Sequence, residues 1–209
     1  MAEAIEYYLL PQDIKPFKVQ LQNVRLDSLE NLYFCGKFLR LVQSINLRFD
    51  KRKPESYLVR DFERALSLAS SLQELSLIVN SDNLLSSKIV RRITKSIRSK
   101  TFERLTINGI FTSKRELQKI LSPLKGSIKE ITLEAATFDD ESFVDFLGYI
   151  QGNFSLDYIC FKDIWEDNDD EGYEVLDRVE LDKEDIGKGL STLKFNILST
   201  LLVRGQIES

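Results

Sequence analysis

Apolar residues along the chain recur in a six-residue pattern: apolar, two spacers, apolar, one spacer, apolar. Leu72-Gln-Glu-Leu75-Ser-Leu77 is the clearest copy, and Phe102-Glu-Arg-Leu105-Thr-Ile107, Ile128-Lys-Glu-Ile131-Thr-Leu133 and Leu156-Asp-Tyr-Ile159-Cys-Phe161 repeat it. Weaker copies begin at Leu21, Val42 and Leu176, so successive hexads start 21, 30, 30, 26, 28 and 20 residues apart. The second half of each hexad alternates apolar and polar, which predicts a short strand with its spacers turned away from the core. Between hexads the period changes to that of a helix. Leu58, Phe62, Ala65, Leu66 and Ala69 share one face of a helix over about 55–71, and Ile89, Ile93 and Ile97 mark another over about 84–99. Leu117, Ile120, Leu121 and Leu124 mark a third, opened by Ser113 and Glu116 at capping-box spacing. Phe143, Leu147 and Ile150 mark a fourth, with Asp139 or Asp140 placed to cap it, while Gly126 and Gly152 stand where the last two helices should stop.

Strand and helix in regular alternation predict an α/β protein with a parallel sheet. Two arrangements satisfy that pattern. A solenoid stacks each unit on the next, because neither the strand face nor the helix face of one unit can be covered alone. A compact doubly wound domain also alternates β and α. Three apolar positions at fixed offsets favour the solenoid, with the parallel sheet on its concave side and helices on its convex side. In that reading residues 1–20 form an N-terminal cap, 21–182 hold six or seven irregular repeats, and 183–209 form a C-terminal cap. Ile186, Leu190, Leu193, Phe195, Ile197, Leu198, Leu201 and Leu202 supply the cap's apolar face.

The hexads and their helical spacers resemble leucine-rich repeats of the long, ribonuclease-inhibitor-like type, over about residues 20–182. The stretch from Phe102 to Asp167, with Ile120-Leu121-Ser-Pro-Leu124, Phe138-Asp-Asp-Glu-Ser-Phe143 and Ile164-Trp165-Glu-Asp, resembles the repeat tails of fungal F-box-type proteins. That resemblance implies a non-enzymatic recognition module, a substrate receptor for a ubiquitin-ligase adaptor. The chain departs from the family where the repeats usually carry Asn or Cys. Asn80 alone fits, and Leu29, Asp50, Ile110, Ala136, Ile164 and Glu184 stand there in the other copies. Leu10-Pro11-Gln-Asp-Ile14 resembles the opening of an F-box, but the helices that should follow are not evident.

If the strands align, their spacers and the residues just beyond form one polar strip: Arg25, Asn46, Arg48, Glu74, Ser76, Arg104, Thr106, Asn108, Glu130, Thr132, Glu134, Tyr158 and Lys162. Repeat proteins bind partners on this surface, so a protein partner is expected there. A second candidate is the basic amphipathic segment Lys88–Lys100, with Arg91, Arg92, Lys95 and Arg98, which points to nucleic acid or another anionic surface. Both compete with the plain alternative that polar strand and helix faces simply meet solvent.

Charge sharpens this picture. Net charge is −4 overall, yet residues 1–125 hold 22 Lys and Arg against 13 Asp and Glu, and residues 126–209 hold 7 against 20. An elongated chain built this way carries a charge dipole along its axis, which steers partners.

Several chemistries are excluded. The chain has no His, which removes His-ligated zinc and every Ser-His or Cys-His hydrolase arrangement. Cys35 and Cys160 have no CxxC spacing and read as buried thiols of a reducing compartment. Asp167, Asp169, Glu171 and Gly172 match half of an EF-hand loop, but Val175 and Arg178 fail its ninth and twelfth positions, so the segment Glu166–Glu171 reads as a hydrated acidic loop anchored by Trp165. No phosphate-binding glycine loop or paired catalytic carboxylates stand out, so neither an enzyme nor a cofactor is expected. No apolar run approaches the ~20 residues of a membrane span, and the acidic N-terminus lacks a secretory signal. An intracellular protein, cytoplasmic or nuclear, is expected.

Overall fold

Thirteen elements follow one another in the computed structural model, which describes residues 19–25, 39–49, 56–79, 84–139, 143–167 and 173–203. The strands are β1 (Val19–Arg25), β2 (Val42–Phe49), β3 (Glu74–Val79), β4 (Leu85–Ser86), β5 (Arg104–Thr112), β6 (Glu130–Asp139), β7 (Tyr158–Asp167) and β8 (Tyr173–Asp182). The helices are α1 (Ser56–Leu68), α2 (Ser87–Lys95), α3 (Lys114–Leu121), α4 (Phe143–Asn153) and α5 (Ile186–Val203). Expectations at residues 1–18, Leu29, Cys35, Asp50, Asn80, Asp140 and 168–172 lie outside the described residues.

The strands form one sheet in the order β1-β2-β3-β5-β6-β7-β8, with β4 beside β5. Every pair from β1 to β7 is parallel. Strand order follows chain order without reversal, so the doubly wound alternative does not form. Right-handed crossovers in a sheet that grows one way place their helices on one side, and each described helix packs on the next in chain order.

The hexads set the register. Leu75, Leu105, Ile131 and Ile159 lie side by side, as do Leu77, Ile107, Leu133 and Phe161, and all are buried. Against them pack Val59, Phe62 and Leu66 from α1, Val90 and Ile93 from α2, Leu117 and Ile120 from α3, and Phe143, Phe146 and Leu147 from α4. Burying each such side chain contributes about 1.5–3 kcal/mol. Between β6, β7 and α4 the packing is aromatic, with Phe143 edge-on to Phe138 at 5.1 Å and to Phe161 at 5.3 Å.

Past each hexad the strands do not stop. Gly109, Ala135 and Asp163 have φ of 84°, 49° and 51°, and the flanking register pairs place the three in one row across β5, β6 and β7. A left-handed residue breaks the two-residue alternation, so the next core positions come three residues on. These are Ile110, Ala136 and Ile164, all fully buried. They occupy the positions where Asn is usual in the resembled repeats, and here they extend the core. β4 supplies the equivalent segment beside Ile110 and Phe111. At Gly109 a Cβ would fall 2.9 Å from the Cβ of Val79, so both conformation and space call for glycine.

The caps are partly as expected. Ser113 Oγ accepts the N–H of Glu116 at 3.3 Å, and Ser86 does the same for Lys88 on α2. α2 is shorter than the pattern suggests because Leu85 and Ser86 pair as β4. Gly126 follows its helical stretch as expected, and Gly152 does not. α3 runs on into a 3₁₀ turn at Ser122–Leu124, and Gly152 lies inside α4. Asp139 is the last residue of β6, and at the start of α4 Glu166 Oε1 accepts the Phe143 N–H at 2.9 Å.

Two further expectations are corrected. The last hexad, Leu176–Leu181, lies in β8, which runs antiparallel to β7. Only five residues separate the two strands, too few for the dozen or more that a parallel crossover needs. On α5, Leu190, Leu193 and Ile197 are buried and Ile186 and Leu198 half-buried, but Phe195 is exposed because it falls off their i, i+3, i+7 face.

Candidate functional site: the open face of the sheet

Residues that alternate with the core positions point to the other side of the sheet, which no described helix covers. Register sorts them into three rows. The first is Ser44, Glu74, Arg104, Glu130, Tyr158 and Asp182. The second is Asn46, Ser76, Thr106, Thr132, Cys160 and Glu180. The third is Arg48, Ile78, Asn108, Glu134, Lys162 and Arg178. Of the residues expected on the strip, Asn46 through Lys162 therefore share one face. Arg25 aligns with Arg48 at the β1 end, and its side chain lies outside the described residues.

Charges on this face are largely neutralised within it. Arg104 bridges two neighbouring strands, pairing with Glu74 on β3 and, through Nη1 at 3.5 Å, with Glu130 Oε1 on β6. Lys162 pairs with Glu134 across β6 and β7, and that carboxylate holds the ammonium above its ordinary pKa. Arg178 Nε donates to Glu180 Oε1 at 2.8 Å, which lowers the Glu180 carboxyl. From β3 to β6 the middle row between them is short and neutral: Ser76, Thr106 and Thr132.

At the β8 end the face closes. Cys160 is buried, and burial pushes its thiol up. Burial, with Cys160 and Glu180 beside it, pushes the Tyr158 hydroxyl up to about 12. Neither group is primed for nucleophilic or acid–base work at neutral pH.

Sequence reasoning missed Arg178, Glu180 and Asp182. The spacers of the Leu176 hexad carry the first two, and the reversed strand still puts them on this face. The acidic segment is also rearranged. Glu166 is fully buried, its Oε2 accepting the Tyr173 hydroxyl at 2.9 Å, whereas Trp165 is 42% exposed. Of the half EF-hand match, Asp167 ends β7, and Asp169, Glu171 and Gly172 lie outside the described residues.

The basic segment is bound into the helix layer. Arg92 makes a two-point pair with Glu63 of α1 at 2.8 and 2.9 Å, and Arg91 reaches Glu116 of α3 at 3.2 Å. Lys119, the largest influence, with Arg91 and Arg115, holds Glu116 below its ordinary pKa. The two arginines at the centre of the expected anionic-surface site thus hold neighbouring helices together. Lys88, Lys95, Arg98 and Lys100 remain exposed around them.

No helix among the described residues is long and apolar enough to cross a membrane. Compared with protein-family models and with curated proteins, the chain finds no match.

Proposed function

We propose that the chain is a non-enzymatic recognition module of leucine-rich-repeat type, which binds a protein partner on the open face of its sheet. Strands lie about 4.8 Å apart and packed helices about 8–10 Å apart, so a one-sided stack of this kind curves with the sheet inside and offers a concave surface. The observation that carries the reading is the registered open face itself. From β3 to β7 the charges of its three rows are paired within the sheet, and its middle row is short and neutral from Ser76 to Thr132. A partner meeting such a surface displaces little tightly held water and buries few unpaired charges, the costs that most often weaken an interface. In keeping with the family resemblance, the partner would be a protein delivered to a ubiquitin-ligase adaptor.

A photo-crosslinking residue placed at Thr106 or Thr132, against one placed at Arg115 or Lys95 on the helix side, tests this in extract from the native cell. Discrete crosslinked products from the open face alone, competed away by the unlabelled chain, are expected. Products from the helix side alone, or the same products from both, would remove the assignment.

A further inference from the structure

Resting on that protein-recognition reading, one end of the open face carries information about the partner's chemistry. Among the described residues of the face, the one large exposed aromatic is Trp165. Ile164 and Glu166 on either side are buried, so the indole stands away from the helices. Its partner across the antiparallel ladder is Glu174, which therefore stands on the same side.

Around it the charge is one-sided. β6, β7 and β8 carry ten acidic residues and two basic ones. Both bases are already engaged, Lys162 with Glu134 and Asp163, and Arg178 with Glu180. Asp163, 3.5 Å from a Lys162 ammonium that Glu134 already holds, lies opposite Asp177, between the pairs Lys162–Arg178 and Ile164–Leu176. Their carboxylate oxygens and that of Glu174 fall within 4.8 Å of one another. Like charges this close repel, and a cationic side chain brought among them relieves that repulsion. An adjacent indole attracts the same cation through its ring face, and tryptophan is the best of the aromatic rings for this. Exposed tryptophan is also the residue most enriched at the energetic centres of interfaces.

We propose that the Trp165 end of the open face docks a lysine- or arginine-rich segment of the protein partner, with a cationic side chain over the indole and flanked by Asp163, Glu174 and Asp177. Charge complementarity selects this occupant. A second copy docking through the same end would bring its own acids, and a hard divalent cation has no use for the indole.

Trp165 is the sole tryptophan of the chain, so its fluorescence reports occupancy directly. The full chain is titrated with a ten-residue alternating Arg-Gly peptide, with a Ser-Gly peptide of equal length, and with calcium or magnesium chloride. A saturable fluorescence change with the Arg-Gly peptide alone is expected. Glu174→Gln with Asp177→Asn should weaken it at least tenfold. Glu184→Gln with Asp185→Asn, an equal loss of charge at the far end of β8, should weaken it less than twofold. These positions are exposed, and circular dichroism checks that each variant keeps its fold. Absence of a response to the Arg-Gly peptide overturns the proposal. So does equal weakening by both pairs of substitutions, which would mean diffuse attraction, and so does a response to the metal ions alone. If crosslinking from Thr106 and Thr132 persists in those cases, only this corner is misassigned. If that crosslinking is also absent, the broader reading falls with it.

Discussion

Replacing Glu166 by alanine should be the most damaging single change to a polar residue among those described. The carboxylate is fully buried, and each oxygen accepts a bond: one from the N-terminal Phe143 N–H of α4, the other from the Tyr173 hydroxyl. Hydrogen bonds to a charged group contribute about 1.5–3 kcal/mol each. A negative charge at a partly buried helix N-terminus adds up to about 2 kcal/mol. Against this stands the desolvation of the carboxylate, which alanine no longer suffers. The net loss expected is about 3–5 kcal/mol, the range for breaking a buried charged contact, and a large share of the ~5–15 kcal/mol that holds a domain folded. Urea unfolding followed by circular dichroism measures it, with an unchanged m-value as the sign that stability alone moved. Glu166→Gln keeps an acceptor for Phe143 and should fall between alanine and the wild type. Tyr173→Phe should cost about 1 kcal/mol in the native chain and almost nothing beside Glu166→Ala. A loss under about 1 kcal/mol for Glu166→Ala, or full additivity with Tyr173→Phe, would refute the idea that this carboxylate ties β7, β8 and α4 together.

Four other outcomes are expected. Leu105→Ala should cost about 2–5 kcal/mol, and its neighbour Thr106→Ala well under about 1 kcal/mol; equal losses in urea titrations would mean the strand phase is wrong. Gly109→Ala should destabilise by about 1–3 kcal/mol, from its left-handed backbone and the close Val79 side chain, while Ala135→Gly, in the same row, should be neutral or stabilising by thermal melts. Arg92→Ala should cost no more than about 1 kcal/mol, since its pair with Glu63 is partly exposed; a larger fall in melting temperature than Leu105→Ala produces would contradict this. Glu116 is held below its ordinary pKa of 4.5 when folded, so its pairing stabilises above that range and fades as pH falls through the depressed folded value. The difference in urea midpoint between wild type and Glu116→Gln should thus be present at pH 7 and shrink toward pH 3.

How far the sequence foretold the fold depends on where each element draws its information. The strand cores were legible because the hexad offset is local: Leu105 and Ile107 mark the same face that Leu75 and Leu77 mark one unit earlier. Alternation carried past the hexad misleads. Counting by twos from Phe161 puts Trp165 inside and Glu166 outside, and the left-handed Asp163 reverses both. A trace of that step was present in the apolar residues at 110, 136 and 164, which are poor candidates for a polar turn and good ones for a resumed core. The direction of β8 was legible only through length, as five residues cannot return the chain to the far end of the sheet. The open-face rows followed from register and so were found from β2 to β7. The ion pairs were not, because Arg92 and Glu63, or Arg91 and Glu116, are more than twenty positions apart and meet only once the helices are stacked.

The reversal at β8 also limits how such a chain can change its length. A further strand-and-helix unit added beyond β8 would find a strand of the wrong polarity and an edge lined with carboxylates, and would have no parallel neighbour to extend. New units can enter in parallel upstream of β7, where incoming and resident strands point the same way. Growth or loss by unit duplication would therefore carry the acidic β7–β8 pair along unchanged while the span between it and the basic half lengthened or shrank.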